Sequence, residues 1–139
     1  MNFHFHKLKG STTDICCDVL QPREYSCISD YLEDSARHID DCERELERLE
    51  NAKAGKFVGY GCSSNAVYSE YDKDGLYIQH DWIETAPDNF LTLENAEFLL
   101  NEWKTYLEDQ KERSFELDVQ IVEEKNKRDT RPLQNRNIC

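Results

Sequence analysis

The sequence predicts an α+β fold: a short N-terminal strand, then two long helices flanking an antiparallel β-hairpin or small sheet. Two stretches, at about 24–54 and 92–126, repeat apolar residues at alternating spacings of three and four, as packed helices do. Residues 57–83 between them are rich in aromatic and β-branched side chains, which favour strands. A chain of 139 residues fits one domain, which we place at 1–127, followed by a frayed basic tail at 128–139.

The N-terminal segment "NFHFHKL" alternates phenylalanine with histidine, which is the period of a strand with one apolar face. "DICCDVL" follows a turn-like stretch and is a candidate for a second short strand. His4 and His6 share a face, where they could bind a metal ion. Because neighbouring strand residues point to opposite faces, Cys16 and Cys17 could not both join them. We therefore expect no metal site and no cofactor.

The first long helix is predicted from a seam of residues spaced as in a heptad repeat. Its members are Tyr25, Ile28, Leu32, Ser35, Ile39, Cys42, Leu46 and Leu49. Gly55 is suited to the helix end, since glycine is common just beyond a helix C-terminus. The narrow seam indicates that one stripe of this helix is packed and that its other faces meet water.

The stretch "EYDKDGLYIQHD", residues 70–81, matches several ligand positions of an EF-hand calcium loop. An EF-hand needs a helix on each side, whereas the flanking residues here favour strands. "DKDG" suits a hairpin turn in which Asp72 accepts hydrogen bonds from the turn amides and Gly75 takes a positive φ. We therefore predict a hairpin that does not bind calcium.

The second long helix is predicted to begin after Thr92, a suitable N-cap, with Glu94 and Glu97 near the positive end of the helix dipole. Its seam is Leu93, Ala96, Leu100, Trp103, Leu107, Gln110, Ser114, Leu117 and Ile121. Residues 115–121 also alternate as a strand would, but the surrounding Glu, Lys and Arg residues favour helix. We expect the two seams to pair, within one chain or between two.

The net charge of −12 is the most pronounced property of the composition. Residues 125–139 contain five basic side chains and one acidic side chain, so residues 1–124 carry −16. A body this acidic repels nucleic acids and anionic membranes and attracts basic protein surfaces, which nucleic-acid enzymes have. The competing explanation is that the charge serves solubility alone.

No stretch is long and apolar enough to cross a membrane, and the N-terminus does not resemble a signal peptide, so we expect a cytoplasmic protein. Its six cysteines are then expected to be reduced, and the lack of a C-x-x-C pair argues against a zinc ribbon. Cys62, in "GYGCSSN", could act as a nucleophile with His80 and Asp81. No motif around Cys62 supports that chemistry.

The acidic face of the first helix is the best candidate for a binding site. Side chains three or four residues apart on a helix stand about 5–6 Å apart, comparable with phosphates along a strand, so a row of carboxylates could imitate a nucleic-acid backbone. Two tryptophans are further candidates, because tryptophan anchors interfaces. The predicted partner-binding residues are Asp30, Glu33, Asp34, Asp40, Asp41, Glu43, Glu47, Trp82 and Trp103.

The leading hypothesis is a small, non-enzymatic inhibitor that blocks the basic nucleic-acid-binding surface of a nuclease or another nucleic-acid enzyme. Phage proteins that block host defence nucleases, such as anti-CRISPR proteins, and bacterial immunity proteins share this character, although no motif carries the analogy. One alternative is an oligomerising structural or adaptor protein, such as a homodimer, whose heptad helices pair between chains. The other is a cysteine-dependent enzyme that uses Cys62.

Overall fold

The computed structural model is a mixed α+β structure with two sheets and a layer of helices. It describes residues 1–7, 27–56, 61, 63–64, 67–80 and 87–122 in full, and the backbone alone at 15–19, 62 and 137–138. The helical elements are α1 (Ile28–Asp30), a π-helical turn (Tyr31–Ser35), α2 (Ile39–Lys53) and α3 (Leu93–Asp109). None of these helices is both long and apolar enough to cross a membrane.

The strands form two separate sheets. They are β1 (Asn2–Lys7), β2 (Ile15–Val19), β3 (Gly61–Ser63), β4 (Val67–Tyr71), β5 (Gly75–His80), β6 (Asp88–Thr92), β7 (Arg113–Glu116), β8 (Gln120–Val122) and β9 (Asn137–Ile138). The smaller sheet has the order β2-β1-β7 and the larger has the order β8-β6-β5-β4-β3-β9. All pairs are antiparallel except β3 with β9. The predicted N-terminal strand is confirmed as β1.

Helix α3 contacts both sheets. In the smaller sheet, Phe5 of β1 meets Trp103 edge-on, with ring centroids 4.8 Å apart. In the larger sheet, α3 packs against β5 and β6. Phe5 and Trp103 are both fully buried, so the alternation of the first strand directs its phenylalanines into the core, as the sequence predicts.

The prediction of one helix over 24–54 is wrong, because the chain leaves helical geometry at Ala36 and re-enters it after His38. Ala36 has φ −122° and ψ 40°, and His38 is extended. The indole Nε1 of Trp103 donates a hydrogen bond of 2.8 Å to the Ala36 carbonyl, which supplies a partner that helix continuation would otherwise provide. The carboxylate of Asp41 accepts from the His38 N–H at 3.0 Å and starts α2 afresh.

The prediction that the second helix continues to about residue 126 is also wrong. Thr92 is its N-cap, accepting from the Asn95 N–H at 3.2 Å, but α3 ends at Asp109 and Gln110 adopts a left-handed conformation with φ 56°. The following residues form β7 and β8, and Phe115 of β7 stacks on Phe3 with centroids 5.2 Å apart. Pairing with existing sheets therefore outweighs the helical propensity of this segment.

Helices α2 and α3 pack against each other in an antiparallel arrangement within the chain. Two ion pairs define the direction, since Lys53 at the end of α2 is 3.0 Å from Glu97, and Glu43 near its start is 3.6 Å from Lys104. The buried residues of the two helices are Cys42, Glu45, Leu49, Ala52, Ala96, Leu99, Leu100, Trp103 and Tyr106. The paired seams are thus part of the core.

The predicted hairpin is present as β4 and β5. Oδ1 of Asp72 accepts hydrogen bonds from the amides of Asp74 and Gly75, at 2.8 and 3.1 Å, so this carboxylate stabilises the turn. The expected positive φ at Gly75 is wrong, because among the described glycines only Gly55 has one. Gly75 is needed for space, since a Cβ there would collide with the carbonyl oxygen of Leu91 on the adjacent strand.

Candidate protein-binding surface

Three of the predicted acidic residues lie on α1 and the π-helical turn. The carboxylate of Asp30 is 42% exposed and lies 3.4 Å from Nε2 of His80 on β5. Glu33 and Asp34 are half-buried and make polar contacts of their own. These three side chains therefore have contacts within the fold and do not form an open row.

Asp41 of α2 has a structural role. Its carboxylate accepts from the backbone N–H of His38 at 3.0 Å and from Nη2 of Arg44 at 2.6 Å. Partial burial opposes ionisation of Asp41, but the hydrogen bonds from His38 and Arg44 outweigh that effect and lower its pKa. This residue is engaged in starting the helix and is a poor candidate for partner contact.

Two carboxylates on the outer face of α2 are open to a partner. Asp40 and Glu47 are exposed, and neither forms an ion pair with another described residue. Glu43 is also exposed, but it lies 3.6 Å from Lys104 of α3. Of the predicted partner-binding residues, Asp40 and Glu47 are therefore the most accessible to a partner.

Glu45 is buried in the core, although it lies off the predicted seam of the first helix. It accepts a 2.6 Å hydrogen bond from the hydroxyl of Tyr31 and pairs with Arg48 at 3.0 Å. Arg48 also donates to the side chain and carbonyl of Ser69 on β4 and lies over the ring of Tyr71, 5.0 Å from its centroid. Burial, and then the Glu45 charge, raise the pKa of Tyr31 well above its usual range. This cluster joins α2 to the larger sheet.

The break at 36–38 weakens the prediction that acidic residues on one helix imitate a nucleic-acid backbone. The acidic residues before it and those after it belong to separate helical segments, so they do not form a row on one stiff helix. Helix α2 alone, with 15 residues, is about 22 Å long. A carboxylate surface of this size suits a local basic patch on a protein.

Only one of the two tryptophans predicted to contact a partner lies among the described residues. Trp82 lies outside the described residues. Trp103 is fully buried, with its ring against Phe5 and its indole N–H bonded to the Ala36 carbonyl. It serves as a core residue and is not available to a partner.

A groove beside Phe98 is a feature that the sequence prediction missed. Phe98 is the only exposed large hydrophobic residue in the described part of the chain, at 45% exposure, and its ring meets Phe115 edge-on at 5.5 Å. The groove has a volume of about 580 Å³ and is lined by Glu94, Asn95, Glu97, Phe98, Asn101, Glu102, Glu116 and Leu117. The sequence indicates this groove only in that Phe98, a large aromatic residue, lies off the predicted seam of the second helix.

The rim of this groove is acidic. Two of its four carboxylates, Glu97 and Glu102, pair with a lysine and an arginine at 3.0 and 3.2 Å. The other two, Glu94 and Glu116, are exposed and form no ion pair among the described residues. An exposed aromatic ring with unpaired carboxylates beside it can offer both apolar contact and charge to a basic partner.

The residues considered for cysteine catalysis are separated by a strand. Cys62 on β3 is opposite Ser69 of β4, and His80 on β5 is opposite Val67 of the same strand. Strand spacing then puts the Cα atoms of Cys62 and His80 about 12 Å apart. Asp81 lies outside the described residues.

Comparison with known proteins gives no relative for this chain. No protein-family model, no curated protein and no solved structure matches it. The functional conclusion therefore depends on the surface chemistry described above.

Proposed function

We propose that this chain is a cytoplasmic, non-enzymatic binding protein that docks on a basic protein surface and blocks it. The observation that carries the proposal is the set of exposed carboxylates on α2 and around the Phe98 groove that have no cation partner among the described residues. They are Asp40, Glu47, Glu94 and Glu116. Surface carboxylates in excess over cations give a negative potential that draws a basic partner.

The basic side chains of the same region support this reading, because they are already engaged. Arg44 lies 2.6 Å from Asp41, and Arg113 lies 3.2 Å from Glu102. Lys53 and Lys104 pair with other carboxylates. Because these four cations are paired with nearby carboxylates, the carboxylates without a cation partner among the described residues give this surface its negative potential.

The proposed partner is a nuclease or another nucleic-acid enzyme, because its nucleic-acid-binding surface is basic and exposed when empty. Carboxylates on α2 would occupy phosphate-binding positions, and Phe98 would add an apolar contact near the acidic rim. The chain would then act stoichiometrically, as phage anti-defence proteins and toxin immunity proteins do. Direct nucleic-acid binding and membrane binding are disfavoured by the same charge.

The oligomeric alternative receives less support. Its premise is that the heptad seams pair between chains, whereas Cys42, Leu49, Leu100 and Trp103 are buried within one chain. A homodimer would have to use another surface.

The test begins by recovering the partner bound to the tagged chain in its native host. The association rate is then measured by stopped flow at low and moderate salt for the wild type, Glu47→Lys and Glu116→Lys. We expect both variants and added salt to slow association, because complementary charge speeds encounter and salt screens it.

Asp74→Lys is the matched control, since it makes the same charge change on the β4–β5 turn. It should associate nearly as fast as the wild type. A rate that is insensitive to salt and equal in all three variants would contradict the proposal, as would an acidic contact surface on the partner.

A further inference from the structure

Strand β7 forms one edge of the smaller sheet, because it pairs with β1 on one side and ends the sheet order β2-β1-β7. Met1 and Leu117 exchange both of their backbone hydrogen bonds, at 2.9 and 3.0 Å. Hydrogen-bonded and non-hydrogen-bonded pairs alternate along an antiparallel ladder. The backbone N–H and C=O groups of Ser114 and Glu116 therefore point away from β1, and no described strand pairs with them on that side. Both residues are exposed.

The Phe98 groove runs beside this edge. Its described lining comes from α3, from the end of β7 and from the residue after it, and none of it comes from β1. At one end of the groove, Asn95 of α3 donates to the carbonyl of Asp118 at 3.2 Å. At the other end, Glu102 pairs with Arg113 of β7 at 3.2 Å. About 10 Å of helix lies between Asn95 and Glu102, which is the length of about three residues of extended chain.

The groove offers contacts to two kinds of side chain. The ring of Phe98 is 45% exposed and can accept an apolar side chain. Glu94 and Glu116 are exposed carboxylates that form no ion pair among the described residues, and none of the described lining residues is a lysine or an arginine. An acidic groove beside an unpaired strand edge fits an extended segment that carries both basic and apolar side chains.

A second copy of this chain is a poor occupant of the groove. It would bring the same net charge of −12 and would place its own acidic edge against Glu116. Charged side chains on an edge strand oppose pairing with a chain of like charge. A helix is also a poor occupant, because its backbone groups are already bonded within the helix and cannot pair with a sheet edge.

We propose that an extended, basic segment of the protein partner adds as a strand to the free edge of β7 and lies in the Phe98 groove. The backbone of the segment bonds to the outward N–H and C=O groups of Ser114 and Glu116. Its lysine or arginine side chains pair with Glu94 and Glu116, and an apolar side chain packs on Phe98. This inference rests on the proposed function and deepens it, because it identifies the part of the basic partner that is captured.

The first experiment measures the binding of a fluorescein-labelled peptide, in which lysine and leucine alternate over six residues, to the full chain by fluorescence anisotropy. We expect one peptide per chain and an affinity that falls as salt is added, because salt screens the charges. The same peptide with every amide N-methylated keeps its charges but cannot donate to a strand edge. It should bind at least about tenfold more weakly, because the edge carbonyls are then left without partners. Equal binding of the two peptides would overturn the proposal, as would no binding of the unmethylated peptide.

A pair of variants at one position tests the strand edge from the side of this chain. Ser114→Pro removes an outward N–H without changing the charge, and proline is tolerated in an edge strand where the N–H faces solvent. It should bind the unmethylated peptide at least about tenfold more weakly than Ser114→Ala, which keeps the N–H. Circular dichroism checks that both variants are folded, and equal affinities of the two folded variants would contradict strand addition.

The native partner separates this inference from the proposed function. If Glu47→Lys slows association with the partner while Ser114→Pro leaves the affinity unchanged, the proposed function stands and strand addition is wrong. If association is insensitive to salt and to Glu47→Lys but the affinity falls in Ser114→Pro, strand addition stands and the charge-driven function is wrong. A dimer of the free chain in sedimentation velocity that Ser114→Pro dissociates would show that a second copy occupies the edge, and would overturn the inference.

Discussion

Arg48 is the side chain through which helix α2 is fixed to the larger sheet. Its guanidinium pairs with Glu45, donates to the backbone and side chain of Ser69, and lies over the ring of Tyr71. Glu45 is fully buried, so its charge depends on Arg48 and on the hydroxyl of Tyr31 for compensation. A buried pair of this kind is costly to break from one side, because the remaining charge has no water to solvate it.

Arg48→Met should lower the free energy of unfolding by about 3–5 kcal/mol, the usual cost of leaving a buried charge unpaired. Adding Glu45→Gln should recover part of the loss, because the amide is neutral and still accepts from Tyr31. Arg44→Met, which removes an exposed arginine from its pair with the partly buried Asp41, should cost less than about 1 kcal/mol. Urea unfolding of the four proteins measures these values, and equal losses for Arg48→Met and Arg44→Met would show that the buried cluster is unimportant.

Asp41 should make stability depend on pH in the acid range. Its folded-state pKa is lowered, so the stabilisation is present above its ordinary pKa of about 3.9. It is lost as the pH falls through the lowered folded-state pKa. Asp41→Asn should therefore be less stable than the wild type at pH 6 and should approach it near pH 2. A stability difference that stays constant with pH would contradict this role.

At the scale of elements, tertiary contacts decide where the helices end. The Ala36 carbonyl is bonded to the indole of Trp103, and α2 begins again after His38. At the other end of the fold, the left-handed Gln110 ends α3, and the next residues join the smaller sheet. The α2–α3 pair that remains is short and antiparallel, and its stability comes from a small number of fully buried residues.

Substitutions along the α2 seam should therefore differ in severity. Leu49 is fully buried and Leu46 is only partly buried. Leu49→Asp should unfold the chain, because a buried unpaired carboxylate costs several kcal/mol. Leu46→Asp should leave a folded but less stable protein, as seen by circular dichroism and urea unfolding. Equal effects at the two positions would mean that the seam is packed more evenly than the structure shows.

At the scale of the whole molecule, the fold provides the buried core, and the net charge determines the electrostatic properties of the surface. The two sheets and the helices supply the core, and among the described acidic side chains only Glu45, Glu70 and Asp88 are buried. A net charge of −12 opposes compaction by self-repulsion, although such a charge also favours solubility. The same field is what would draw a basic partner.

Moderate salt should therefore raise the melting temperature. Raising the ionic strength from about 0.01 M to 0.15 M shortens the Debye length from about 30 Å to about 8 Å, which screens repulsion among exposed carboxylates. The double variant Glu47→Lys/Asp74→Lys, with four fewer negative charges in the net balance, should show a smaller rise. Calorimetric scans at the two salt levels test this, and a melting temperature that falls with salt would mean that attractive pairs dominate.

Much of the local structure could be predicted from the sequence. The first strand, the β4–β5 hairpin and the start of α3 at Thr92 follow from short-range rules of alternation, turn chemistry and capping, and the structure contains all three. The acidic character of the α2 surface was also predictable, because charge is a property of composition. The sequence could not show which exposed carboxylates have no cation partner among the described residues, since ion pairing depends on neighbours that are distant in sequence.

What the sequence determined by itself is therefore the α+β class, the hairpin turn and the sign of the surface charge. Only the tertiary structure decided that Glu45 is buried, that Phe98 is exposed beside an acidic groove, and that residues 113–116 and 120–122 form strands. The physical reason is common to all of these: periodicity shows which residues lie on one side of an element, whereas the register and packing of neighbouring elements decide what that side meets.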